Sequence, residues 1–118
     1  MAMIIVTPKA KVDLELIKEY ISKNLDNPIA GQRIISSIIK RIRQLEDFPT
    51  MGARLSSVIS METNFRFLVC TNNYLIFYKV DEDYIKVFRI LNGRTDYAKI
   101  LFSNYYVEAG NDQISDDE

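Results

Sequence analysis

The alternation of hydrophobic and polar positions is clearest between residues 65 and 91. Three runs rich in β-branched and aromatic residues, which favour strands, lie in this part of the chain: Phe65 to Thr71, Tyr74 to Val80 and Tyr84 to Leu91. They are separated by Asn72-Asn73 and by Asp81-Glu82-Asp83. Asn and Asp both support tight turns. The pattern therefore predicts a β-meander of three antiparallel strands that ends at Asn92-Gly93.

A different period precedes the meander and predicts a strand followed by two helices. Met3 to Val6 is a short apolar run that stops at Thr7-Pro8, a pair suited to cap and begin a helix. Apolar residues then recur every three or four positions, at Ala10, Leu14, Ile17, Ile21 and Leu25. This spacing predicts an amphipathic helix that ends near Asn24.

Asn27-Pro28 restarts the helical pattern, with Asn27 as the cap and Pro28 as the first helical residue. The apolar stripe of this second helix, which we expect to extend to about Asp47, consists of Ile34, Ile35, Ile38, Ile42 and Leu45. Because the link between the helices is only two or three residues long, they should form an antiparallel hairpin.

The element order β-α-α-β-β-β predicts an α+β fold with two layers. In it the helix hairpin packs on a three- to four-stranded, mainly antiparallel sheet. Residues 49–63 are expected to form an irregular connection with at most a short strand. The apolar residues between Tyr97 and Phe102 predict a short C-terminal element, and the pattern leaves open whether it is a helix or a strand.

Composition and charge limit the domain organisation. The 118 residues suffice for one domain, and all 15 Lys and Arg lie in residues 1–102 with 11 acids, a net charge of +4. Residues 103–118 carry five acids and no base, a net charge of −5. We therefore predict a single domain over residues 1–102 and an acidic, disordered tail over residues 103–118. A single cysteine and the absence of a long apolar run or signal-peptide pattern favour a cytoplasmic protein without a membrane partner.

The available side-chain chemistry is limited, because the chain has no histidine, one cysteine and no glycine-rich phosphate-binding motif. We expect no metal site and no cofactor. What remains is a set of basic residues on or beside the meander, namely Arg66, Lys79, Lys86, Arg89 and Arg94.

Period-two alternation suggests where two of these basic residues point. It places Lys79 on the same side of its strand as Leu75 and Phe77. It places Arg89 on the same side as the apolar residues of its own strand, which are Ile85, Val87 and Leu91. An arginine in an apolar row usually has an anionic partner, and Asp96 is the nearest candidate for Arg89 or Arg94. The alternative is direct contact of the arginine with a target.

Three segments carry a resemblance to a known family. They are the start IIVTPKAKVDLELIKEYI, the helix end followed by Leu45, Pro49 and Gly52, and YLIFYKVDEDYIKVFRILNGRTDY. On these segments, residues 3–102 resemble the RelE/ParE superfamily of toxins from type II toxin–antitoxin operons, also called plasmid stabilisation proteins. The resemblance implies the αα-on-β fold and a cognate antitoxin that wraps the toxin. Whether the chain forms a homodimer or a heterotetramer with the antitoxin stays open.

The superfamily implies two activities. RelE-like members cleave ribosome-bound mRNA and carry an arginine directly after the first tyrosine of the Tyr-x-Ile-x-Tyr strand, where this chain has Leu75. ParE-like members bind DNA gyrase, and the helix hairpin and the Gly-Arg-x-Asp ending of this chain resemble them better. The resemblance thus implies a gyrase inhibitor, with target-binding candidates Arg89, Arg94, Asp96 and Tyr97.

Two alternatives remain at this stage. The first is a RelE-like, ribosome-dependent endoribonuclease, which would use the residues Arg66, Lys79, Arg89, Arg94 and Tyr97. The second is a degenerate, non-toxic member that survives as an antitoxin-binding module.

Overall fold

The predicted α+β fold is confirmed by the computed structural model, which describes residues 3–24 and 26–110, with side chains placed up to residue 103. Its elements in chain order are β1 Met3–Val6, α1 Pro8–Asn24, α2 Pro28–Gln44, β2 Ala53–Arg54, β3 Arg66–Val69, β4 Tyr74–Val80, β5 Tyr84–Asn92 and α3 Tyr97–Gly110. The strands form one sheet in the order β1-β5-β4-β3-β2, in which only β1 and β5 pair in parallel. No helix within the described residues is long and apolar enough to cross a membrane.

Both predicted helix caps are present. Thr7 Oγ1 accepts a hydrogen bond from the Ala10 amide at 3.1 Å, and Asn27 Oδ1 accepts one from the Ala30 amide at 3.1 Å. The second helix ends at Gln44 rather than at Asp47, because the amides of residues 45–47 bond to carbonyls three residues back and tighten the chain into turns. Leu25, which the pattern places on the first apolar stripe, lies outside the described residues.

The sheet has five strands rather than the predicted three or four, and the additional one lies in residues 49–63, where the sequence allows a short strand. Ala53 and Arg54 form the two-residue strand β2, opposite Phe67 and Arg66 of β3. So short a strand has no period that a pattern could reveal.

The segment after residue 96, for which helix and strand were both open, is the helix α3. The domain boundary predicted at residue 102 falls inside this helix. The part of the predicted acidic tail beyond Gly110 lies outside the described residues.

The sheet is covered on both faces. The hairpin α1-α2 packs on one face, where Ile38, Ile76, Tyr78, Ile85 and Val87 are fully buried. The other face carries a second apolar cluster, to which α3 contributes Phe102, and its buried members are Leu55, Phe65, Leu75, Phe77, Leu91 and Phe102. We call these the hairpin face and the α3 face. The predicted two layers are therefore present, with α3 added against the opposite side of the sheet.

A β-bulge in β5 changes which side chains share a face. Phe77 pairs with Arg89 and Tyr78 pairs with Val87, so Phe88 is an extra residue opposite β4. Because an inserted residue reverses the alternation, Val87 belongs to the cluster on the hairpin face, whereas Leu91 belongs to that on the α3 face. The predicted placement of Arg89 on the side of Ile85 and Val87 is therefore wrong. Of the three residues predicted to share its side, only Leu91 does, because Arg89 pairs with Phe77 of the α3 face.

Candidate functional site

Arg89 is held by a carboxylate of the first helix. Strand β1 pairs with β5 as far as Val6, which lies opposite Val87. Further along the same edge of β5, Asp13 of α1 contacts the strand. Asp13 Oδ2 accepts from the Ile90 amide at 2.9 Å and from Arg89 Nε at 2.8 Å, and Asp13 Oδ1 accepts from Arg89 Nη2 at 2.9 Å. This bidentate pair raises the pKa of Arg89 above its ordinary value. The predicted pairing of Arg89 with Asp96 is therefore wrong.

Asp96 instead helps to begin α3. Its Oδ1 accepts a hydrogen bond from the Lys99 amide at 3.3 Å, and its carbonyl accepts one from the Ile100 amide at 3.2 Å. The amide of Arg94 donates to Asn92 Oδ1 at 2.9 Å, which shapes the turn before the helix. The side chains of Arg94 and Asp96 are exposed.

Tyr97 is half-buried at the start of α3, and its ring lies 5.2 Å from the ring of Phe77. Residues 92–97, which we call the C-terminal turn, thus present one arginine and one carboxylate beside a fixed aromatic ring. Three of the four predicted target-binding residues lie in this turn, and Arg89 does not.

Arg66 supports the connection between α2 and β3. Its Nη1 donates to the Gly52 carbonyl at 2.7 Å and to the Thr50 carbonyl at 3.3 Å. The neighbouring Tyr78 hydroxyl donates to the Pro49 carbonyl and accepts from the Gly52 amide, both at 2.9 Å. Burial raises the pKa of Tyr78. Because Arg66 pairs with Tyr78 in the sheet register, both side chains belong to the hairpin face.

Lys79 points the opposite way, as the alternation predicts. Its Nζ lies 4.5 Å from the ring centroid of Phe65 and 5.3 Å from that of Phe88, on the α3 face. Lys86, which is directly opposite Lys79 in the sheet, also places its Nζ 5.3 Å from the Phe88 ring. Two ammonium groups therefore share one aromatic ring.

Lys79 and the rings of Phe65 and Phe88 line a groove of about 980 Å³ on the α3 face, which we call the aromatic groove. Lys86 is not part of its lining but lies beside it, at the Phe88 ring. Phe65 and Phe88 pack edge to face in the groove, with ring centroids 5.3 Å apart. The chain segments that line the groove are Thr7 to Lys9, Met61 to Phe65, Lys79, Phe88, Arg89 and Ile100 to Phe102. Within the described residues, no group of three or more His, Cys, Asp or Glu side chains is placed to hold a metal ion.

Sequence reasoning missed Asp13, although a signal for it exists. Asp13 lies three residues after Ala10 and four before Ile17, so it falls on the apolar stripe of α1, and it is 6% exposed. An acid on a buried helix face needs a cationic partner. The rings of Phe65 and Phe88 carry no comparable signal, because aromatic residues are ordinary in strands.

The fold and these surfaces define a class of protein, a small α+β domain with a helix hairpin on one face of its sheet. The family model described as "ParE toxin of type II toxin-antitoxin system, parDE" matches residues 4–97. The chain therefore belongs to the ParE family of type II toxins.

A solved structure agrees with this assignment at the level of the fold. A chain of the chromosomal ParDE toxin–antitoxin system from P. aeruginosa superimposes with a TM-score of 0.66 at 22% sequence identity. The superposition covers 78% of this chain and 96% of that one. No curated protein sequence matches.

Proposed function

We propose that the protein is a toxin that binds DNA gyrase, inhibits it without a catalytic site of its own, and is neutralised by a cognate antitoxin. The family assignment over residues 4–97 supports the toxin role. A gyrase target also agrees with the cytoplasmic location expected from the sequence.

The separation of the basic side chains by the sheet favours binding over RNA cleavage. Arg66 faces the hairpin side and bonds the Gly52 carbonyl, whereas Lys79 lies over Phe65 on the opposite face. A nuclease needs several cations around one scissile phosphate, and these two cannot converge on it. Leu75, at the position of the nuclease arginine, is 7% exposed within the apolar cluster of the α3 face.

The C-terminal turn is the proposed gyrase contact. Arg94 and Asp96 are exposed there and offer one charge of each sign, and Tyr97 is fixed against Phe77. In this arrangement Arg89 acts through its pair with Asp13, which anchors the end of β5 from which the turn projects.

The proposed antitoxin contact is an apolar stripe on the outer side of α1. Val12, Leu16 and Tyr20 are spaced four residues apart and are 54%, 58% and 63% exposed. An amphipathic helix or segment of the antitoxin can cover such a stripe. Two assemblies are open, a homodimer of the free toxin and a heterotetramer with the antitoxin. Molecular masses measured in solution for the free toxin and for the complex distinguish them.

The test compares both activities with one preparation of purified protein freed of antitoxin. We expect inhibition of gyrase supercoiling, and no new primer-extension ends on mRNA translated by ribosomes in its presence. New cleavage ends without gyrase inhibition would replace the proposal with the RelE-like endoribonuclease. No effect in either assay, together with retained antitoxin binding, would identify a degenerate antitoxin-binding module.

A further inference from the structure

The aromatic groove concentrates positive charge on an apolar floor. Lys79 and Lys86 are directly opposite each other in the sheet, an arrangement of like charges that is destabilising. Their ammonium groups both approach the Phe88 ring, at 5.3 Å from its centroid. An anion bound between these lysines would relieve the repulsion, while the exposed part of the ring would accept an apolar side chain.

The groove rim adds to this charge. Lys9 lines it, and Glu62 is the only acid among the described residues that do. Arg89 also lines the groove, but its charge is balanced by Asp13. A ligand for this surface must therefore be anionic and carry at least one apolar group.

We propose that the occupant is residues 111–118 of the same chain, NDQISDDE. This segment has four acids and no base, and Ile114 is its only apolar residue. Ile114 would pack on Phe65 and Phe88, and the acids after it would pair with Lys79 and Lys86. This proposal rests on the charge of the segment and on its position in the chain, and it holds whether or not gyrase is the target.

Residues 111–118 begin close enough to the aromatic groove, and are long enough, to reach it. Ile100 to Phe102 of α3 line the groove, and the helix ends at Gly110, about 12 Å further along its axis at 1.5 Å per residue. Eight extended residues reach roughly 26 Å, so the acidic segment can turn back. A tether of only a few residues gives an effective concentration in the millimolar range, at which even weak ion pairing is populated.

The test uses the full chain and a tail-neutralised variant, D112N/D116N/D117N/E118Q. Backbone amide NMR spectra of the two are compared at about 20 mM and about 500 mM salt, because charge pairing is screened at high ionic strength. We expect shifts at Lys79, Lys86 and Phe88 that differ between the two proteins only at low salt. The amides of α2 serve as the internal control and should coincide. Identical groove amides in both proteins, or differences confined to α3, would overturn the proposal.

A second measurement separates self-binding from other occupants. A synthetic NDQISDDE peptide should bind the tail-neutralised variant at least about tenfold more tightly than the full chain, because the tethered segment competes. The substitution pair K79Q/K86Q should abolish peptide binding, and the matched pair K18Q/K23Q on α1 should not. Shifts that depend on protein concentration would show that the groove binds a second copy, which would contradict the intramolecular contact. Equal peptide affinity for both proteins would do the same.

Discussion

Asp13 combines a charge pair with a backbone hydrogen bond at one buried position. Because it is 6% exposed and bonds both Arg89 and the Ile90 amide, Asp13→Asn leaves the guanidinium without its counter-charge. We expect this substitution to lower the free energy of unfolding by about 2–4 kcal/mol. Urea denaturation of the two proteins measures the difference.

The chain offers a matched control in an exposed pair. Lys23 and Glu19 are 4.0 Å apart with side chains 74% and 62% exposed, so Glu19→Gln should change the free energy of unfolding by less than about 0.5 kcal/mol. Equal effects of Asp13→Asn and Glu19→Gln would contradict a structural role for the buried pair.

Tyr78 makes the stability sensitive to alkaline pH. Burial raises its pKa above the ordinary value of 10.0, so the folded state favours the neutral phenol. The associated stability is complete below pH 10.0 and is lost as the pH rises through the higher folded-state pKa. We expect the unfolding free energy of the wild type to fall more steeply than that of Tyr78→Phe above about pH 10, measured by urea denaturation. Tyr20→Phe, at a 63% exposed site, should follow the wild type, and a Tyr78→Phe curve parallel to the wild type would argue against this origin.

At the scale of elements, Gly52 is the point at which the connection between α2 and β3 packs closely against the sheet. A Cβ at this position would lie 2.5 Å from the Tyr78 hydroxyl oxygen and 2.7 Å from the Phe67 carbonyl oxygen. Gly52→Ala must move the connection away from β4, and we expect a loss of about 2–4 kcal/mol in unfolding free energy. Gly93→Ala is the control, because its nearest contact would be 3.1 Å to the Asn73 side chain. A thermal melt in which Gly93→Ala is the less stable variant would contradict this account.

The turn between β3 and β4 depends on left-handed backbone. Asn72 and Asn73 have φ angles of 58° and 64°, which Asn tolerates and β-branched residues resist. Asn72→Val should therefore cost about 1–2 kcal/mol of stability in denaturant unfolding. The same substitution at Asn64, an exposed residue in an irregular segment without positive φ, should cost less than half as much. Equal costs would show that the loss of the amide group, rather than the backbone, matters.

Local chemistry explains which elements the sequence could predict. Thr7, Asn27 and the Asn72-Asn73 turn act on residues within three or four positions, so their effect is visible in a short window. The bulge at Phe88 is set by how β4 and β5 align, and β2 has only two residues. Neither feature produces a periodic pattern, which is why period-two alternation puts Arg89 on the wrong side relative to Ile85 and Val87.

At the scale of the whole molecule, the sheet register decides which candidate residues can act together. The basic residues lie close in sequence, but Arg66 and Lys79 end on opposite faces, and Arg89 is bound by a residue 76 positions away. No local pattern encodes that partner, because it depends on α1 crossing the end of β5. The hydrophobic pattern was enough to predict the fold, whereas the distribution of charge depends on the sheet register.

Arg94 allows the binding role to be tested without disturbing the fold. Its side chain is exposed in the C-terminal turn, and only its backbone amide contributes to the turn through Asn92. Under the proposed function, Arg94→Glu reverses a contact charge, which weakens binding by about tenfold or more, as charge reversal at an interface commonly does. The measurement is the concentration that half-inhibits gyrase supercoiling, with the unfolding free energy expected to stay within about 0.5 kcal/mol of the wild type.

The control for Arg94→Glu is Lys18→Glu, the same kind of charge reversal at an exposed site on α1. Since both variants change the net charge by the same amount, a general loss of electrostatic attraction to gyrase would affect them equally. A specific contact at the C-terminal turn would affect only Arg94→Glu. Equal inhibition by both variants and the wild type would remove Arg94 from the target surface while leaving the family assignment intact. Because Arg89 is held by Asp13, Arg89→Glu would change stability and binding together, and Arg94 is therefore the position at which the two effects separate.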